Sequence, residues 1–116
     1  MFGNRAATIK GRIFNTAKAD STDLFSSDLS PSTTGPSRSS LFRITIAVNT
    51  TSTLNHMVTN DATTVSAAMN DGIALSANQE YVLYHEAQPG DTVNYQLGTA
   101  ATVLWMYVSE VIAEAV

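Results

Sequence analysis

The sequence predicts an all-β protein: a single β-sandwich of jelly-roll or Greek-key type with an extended N-terminal arm. Three observations carry this. Beyond Ser40 the chain breaks into short runs rich in Val, Ile, Thr, Tyr and Phe, each bounded by turn residues, the signature of a sandwich or barrel. One of these, "LFRITIAVN", alternates with period two, the spacing of a half-buried strand. Asn15 to Ser40, "NTAKADSTDLFSSDLSPSTTGPSRSS", is instead a Ser/Thr tract with two prolines and a glycine that cannot fold alone. At 116 residues the chain has room for one core. We therefore divide it into residues 1–40, an N-terminal strand and arm, and residues 41–116, the sandwich domain.

In chain order, "ATIKGRIF" has the β-branched content of a short strand, with Gly11 as a bulge. Within the arm, Leu24, Phe25 and Leu29 are out of place unless buried; they either pack back on their own domain or dock on a neighbouring subunit. After "LFRITIAVN", the segment "STLNHMVT" follows a Thr-rich turn and is expected to pair with it as a hairpin. "TTVSAAM" is a weaker strand that ends at Asn70-Asp71-Gly72, residues that tolerate positive φ. Ser76 with Gln79 resembles a helix capping box, but the aromatic, β-branched run from Glu80 to Glu86 favours a strand. Pro89-Gly90 fits the centre of a type II turn. "DTVNYQL" then places Val93, Tyr95 and Leu97 inward and Thr92, Asn94 and Gln96 outward.

The last run, Ala101 to Val111, carries Thr, Val, Trp and Tyr and reads as a strand with large apolar residues in both phases. Val103, Trp105, Tyr107 and Val111 alternate with Thr102, Leu104, Met106, Val108 and Ile112. A strand of an isolated sandwich has one wet face, so the arm or a second subunit is expected to cover the other. This makes Leu24, Phe25 and Leu29 of the arm and Trp105 and Tyr107 of the last strand the candidate interaction residues, and a homo-oligomer the expected state. Glu110 and Glu114 are expected at its polar edge.

The remaining features exclude more than they assign. A net charge of −4, with all six cations in the first 43 residues, argues against a nucleic-acid partner. Only 14% of residues are charged, a composition suited to meeting other protein surfaces. There is no cysteine, and no apolar run approaches a membrane span or a signal peptide, so a soluble, unexported chain is expected. No GxSxG, phosphate-binding loop, HExxH or EF-hand pattern occurs, and we expect no catalytic residues, cofactor or metal.

His56 and His85 lack a second ligand at metal spacing. Glu80, Glu86, Asp91, Glu110 and Glu114 fit solvated faces and turn caps better than a hydrolytic pair. Asn49-Thr50-Thr51, a glycosylation pattern, is more simply a turn. The aromatics Tyr81, Tyr84, Tyr95, Trp105 and Tyr107 suit core packing with polar tips at the rim, with a sugar platform as the alternative.

The succession "NDGIAL" (Asn70 to Leu75), the aromatic strand at Tyr81 to Tyr84, "PGDTVNYQ" (Pro89 to Gln96) and "VSEV" (Val108 to Val111) resembles small β-sandwich structural proteins of tailed-phage virions, head decoration or cement proteins in particular. The arm is similar to those with which such proteins tie capsid neighbours together. The resemblance implies a non-enzymatic protein on the capsid surface of a virion, with the major capsid protein or other virion subunits as partners and a trimer as the homo-oligomer. It brings no site residue with it, since the matching positions Gly72, Gly90, Asp91 and Asn94 are turn-makers and strand polar groups. Tail, connector and receptor-binding components, and carbohydrate-binding sandwiches, share the same texture, and a small hydrolase would need two facing carboxylates.

Overall fold

Alternating β-branched and polar residues build seven strands in the structure, a computed structural model that describes residues 5–32 and 40–113, with side chains at 8–32 and 40–111. They are β1 (Arg5–Lys18), β2 (Ser40–Val48), β3 (Leu54–Asn60), β4 (Thr63–Ala68), β5 (Tyr81–Ala87), β6 (Thr92–Leu97) and β7 (Ala101–Ala113). A four-stranded sheet has the order β1-β7-β2-β5 and a three-stranded sheet the order β4-β3-β6. The two pack face to face as a single sandwich. Its core is formed by Phe42, Ile44, Ile46 and Val48 of β2, Val103, Met106 and Val108 of β7, Leu54 of β3 and Val93, Tyr95 and Leu97 of β6.

The arm completes the second sheet. From Ser21 to Leu29 it runs antiparallel to β6: Ser21 N–H donates to Leu97 O, Leu24 N–H to Tyr95 O, and Leu29 and Val93 exchange both backbone bonds. With the arm as an eighth strand, the antiparallel partners nest as β1 with β7, the arm with β6, β2 with β5, and β3 with β4. This is one long hairpin rolled up on itself, the jelly roll of two Greek keys. The expected boundary at residue 40 therefore separates nothing, because β1 and the arm each complete a sheet of the same sandwich. The expected hairpin of β2 with β3 is also corrected. β2 lies between β7 and β5, and β3 crosses to the other sheet, where the two-residue turn at Asp61-Ala62, both at positive φ, closes it into a tight hairpin with β4 instead.

Two bulges set the faces. Between Ile9 and Gly11 the register of β1 slips by one, with Lys10 as the extra residue. At Gly11 a Cβ would lie 2.7 Å from the ring of Phe25, so only glycine lets the arm close over β1 there. The second bulge leaves Leu104 of β7 without a partner between the Trp105–Ala47 and Val103–Val48 pairs. It reverses the alternation expected for β7: Val103 faces the core before it, and Met106, Val108 and Glu110 after it. The turns at Asn70-Asp71-Gly72, all at positive φ, and at Gln88-Pro89-Gly90-Asp91, where Gly90 has φ 88° and Asp91 N–H donates to Gln88 O, agree with the sequence.

Candidate functional site: the outer face of the four-stranded sheet

After its bulge, β7 turns Trp105, Tyr107 and Val111 away from the core, and the register aligns neighbours beside them. Trp105 is flanked by Phe14 and Ala47, Tyr107 by Arg12 and Thr45, Ser109 by Ile9 and Arg43, and Val111 by Leu41. On β5, Val82 pairs with Thr45, Tyr84 with Arg43 and Glu86 with Leu41. The sheet thus presents a face on which Tyr84, Ile9, Phe14 and Val82 are 58%, 55%, 51% and 48% exposed. No charged residue stands at its centre except Arg43. Phe14 and Tyr107 meet edge to face at 5.4 Å, Arg12 lies over the Phe14 ring, and Trp105 Nε1 donates to Glu80 at 2.9 Å. Four of the nine aromatic residues lie here. Aromatics and arginine are the side chains enriched in protein interfaces, where their large area is buried at low entropic cost.

The candidate interaction residues divide between two places. Trp105 and Tyr107 are half-buried on the apolar face. Leu24 and Leu29 are core residues, 1% and 6% exposed, turned inward by the pairing of the arm with β6. Phe25 is half-buried, edge to face with Tyr95 at 6.4 Å. For these three the first of the two expectations holds: they pack on their own domain and are not a free apolar hook. The described part of the arm from Ser21 to Leu29 lies along the edge of the other sheet and not over the second face of β7. The residues missed in the sequence are Ile9, Phe14 and Val82, while Tyr84, expected to pack in the core with its hydroxyl at the rim, lies exposed on this face. Their signal was present, since "YVLYH" is apolar in both phases and "IKGRIF" carries Ile9 and Phe14 around a bulge.

The groups with chemical potential serve the fold. Glu110 is fully buried rather than at a polar edge. Its carboxylate accepts Ser32 N–H at 2.7 Å and Ser32 Oγ–H at 2.5 Å, with Lys10 Nζ at 3.8 Å. Burial pushes its pKa up, but the Ser32 and Ser40 hydrogen bonds and Lys10 outweigh this and hold it below the usual range. The contact pins the end of the arm to β7. Asp91 accepts Asn60 Nδ2–H at 2.7 Å and Gln88 N–H at 2.8 Å, bonds that lower its pKa against its burial and lock the turn into β6. Glu86 accepts from Gln88 Nε2–H. Glu114 lies outside the described residues.

His56 and His85, far apart in sequence, meet between the sheets with ring centroids 4.4 Å apart, and His85 also packs against Phe42 and Tyr95. His56 Nδ1, His85 Nδ1 and Tyr95 Oη are buried with no hydrogen-bond partner among the described residues. Burial lowers both imidazoles, and the neighbouring His56 helps bring His85 down to about 4 against the opposing pull of Asp91, while burial raises the Tyr95 phenol. Both rings are therefore neutral near pH 7. Among the described residues no cluster of three or more His, Asp or Glu could hold a metal ion.

The opposite face is different in kind. Asn55, Met57 and Thr59 of β3, Ser66 and Thr64 of β4, and Thr92, Asn94 and Gln96 of β6 form it, with Asp23 and Asp28 of the arm at its rim. Asn94 accepts Phe25 N–H, donates to Phe25 O and reaches Asp28, and Gln96 Nε2–H donates to Asp23. Among the described residues no helix is long and apolar enough to cross a membrane. Comparison with protein-family models, with curated proteins and with solved structures finds no match to this chain.

Proposed function

We propose that this chain is a non-enzymatic structural subunit of an assembly, and that it attaches to other subunits through the outer face of its four-stranded sheet. The observation that carries this reading is the aromatic, arginine-bearing face itself: a contiguous set of half-exposed Phe14, Trp105, Tyr107, Val82 and Tyr84 beside only a few charges. Contacts of this kind, repeated by symmetry, hold shells together without covalent chemistry. The described carboxylates Glu80, Glu86, Asp91 and Glu110 each hold a turn, a ring or the arm, which favours a structural role over hydrolysis. The resemblance to head decoration proteins, together with a jelly roll, an architecture found among viral capsid domains, supports the surface of a tailed-phage capsid as the site of action and the major capsid protein as the partner in this reading.

The test is co-sedimentation of the purified chain with shells assembled from the major capsid protein of the same genome. Saturable binding that is lost when Val82→Lys and Tyr84→Asp are combined is the expected result. Binding that ignores those substitutions, or no binding at all, would contradict the reading. A second reading is favoured by one observation: Trp105, Tyr107 and Phe14 stand together on the outer face of the sheet with Arg12 and Glu80 beside them, an arrangement suited to stacking and hydrogen-bonding a sugar. Glycan-dependent changes in Trp105 emission would support it.

A further inference from the structure

We propose that in the free protein this face is occupied by a second copy of the chain, the two sheets packed face to face about a two-fold axis parallel to the strands. The proposal rests on the contact face named above and specifies its partner. Its first support is the distribution of charge. Arg12 is exposed on β1, one edge of the sheet, and Glu80 and Glu86 are exposed at β5, the other edge. A two-fold axis along the strands sets β1 of each copy over β5 of the other, so Arg12 meets the glutamate edge twice. An axis across the strands would set β1 on β1 and glutamate on glutamate. Isologous pairing of this face therefore has one favourable orientation, because its charges are split between its two edges.

The second support is size. Four strands at their usual spacing make the face about 19 Å across, and the rows from Trp105 to Val111 make it about 23 Å long. Two such faces, with side chains standing on them, bring together on the order of 1,000 Å² in total, the lower bound for a specific interface. At this size we expect a weak, reversible pair, with a dissociation constant of roughly micromolar. Sheets that pack by their faces cross at about 30°. Three sheets cannot all meet face to face in this way, so the face points to two copies rather than three.

Sedimentation equilibrium on the full chain tests this. The expected result is a monomer–dimer equilibrium in which Val82→Lys/Tyr84→Asp is monomeric with unchanged circular dichroism, both positions being exposed and outside the core. Arg12→Glu should weaken pairing about tenfold, and adding Glu80→Lys to the same chain should recover most of the loss. A wild-type monomer at 200 μM (roughly a hundred times the micromolar constant), a trimer, or a dimer that survives the Val82/Tyr84 pair would each overturn the proposal. Unchanged or tighter pairing in Arg12→Glu would overturn the strand-parallel axis. If the wild type is monomeric yet Val82→Lys/Tyr84→Asp loses shell binding, the pairing fails and the contact-face reading stands.

Discussion

The two outer faces of this sandwich are made by the same rule and finished differently. On the three-stranded sheet the outward positions are Thr, Asn, Ser and Gln around a single large apolar residue, Met57, and the edge of β6 is closed by the arm. On the four-stranded sheet Phe14, Trp105, Tyr107, Val82, Tyr84, Ile9 and Leu41 stand outward among a few polar neighbours, Arg12, Arg43, Thr45 and Ser109, and none of the described residues lies over them. A chain of this size has few large apolar residues to spare, and those it places outside mark where water is to be excluded by something else. The polar face owes its integrity to internal ties, whereas the ties of the apolar face among the described residues are few, chiefly Phe14–Tyr107, Arg12–Phe14 and Trp105–Glu80.

That contrast can be broken from either side. The largest effect is expected at Leu24, whose inward side chain anchors the arm under the polar face. Leu24→Ala should cost about 2–5 kcal/mol in a denaturant titration, whereas an arm that merely decorates the fold would lose almost nothing. Asn94→Ala removes the side chain that both donates to and accepts from Phe25 backbone, and should cost about 1–3 kcal/mol while leaving association through the other face unchanged.

Acidification should act on the interior shared by both sheets. The folded pKa of His85 lies at about 4, below its ordinary 6.5, so between those values the unfolded chain binds the proton and the native chain does not. Stability therefore falls as pH drops through this window, by at most about 1.4 kcal/mol per pH unit for one proton, and is insensitive to this group above it. The lowered Asp91 and Glu110 add losses at still lower pH, since their protonation favours the unfolded chain. Melting temperature followed from pH 7 to pH 4 should show this slope, to which the lowered His56 adds in the same direction, and His85→Phe should reduce it.

Gly90→Val should cost on the order of 1 kcal/mol, because φ of 88° is closed to a β-branched residue, and an unshifted melt would mean the turn has been misread. The smallest effect is expected from Thr59→Val on the polar face, within about 0.5 kcal/mol and with no change in association.

Much of the sandwich was legible because period two survives in "LFRITIAVN" and "DTVNYQL", and because Pro89-Gly90 and Asn70-Asp71-Gly72 name their own turns. What was not legible follows from two causes. Pairing is a long-range choice: the alternation in β2 and β3 says that both are strands but not that they belong to different sheets. Bulges are local exceptions to the alternation, so Leu104 moved Trp105 and Tyr107 from one phase to the other without a trace in the composition. Which of the two destinations the arm takes was open for a related reason. Its Ser/Thr content describes the outward side of a strand-like segment, and Leu24 and Leu29 are the inward side. The meeting of His56 with His85 had no signal at all, being set by how the sheets face each other.

The chain's single tryptophan sits on the face at issue, which makes acrylamide quenching of Trp105 across a dilution series the most direct measurement of the central claim. Association through the outer face of the four-stranded sheet predicts that the quenching constant falls as the protein concentration rises, and that Val82→Lys/Tyr84→Asp holds it at the dilute value throughout. Equal accessibility of Trp105 in the associated and dissociated protein would contradict it.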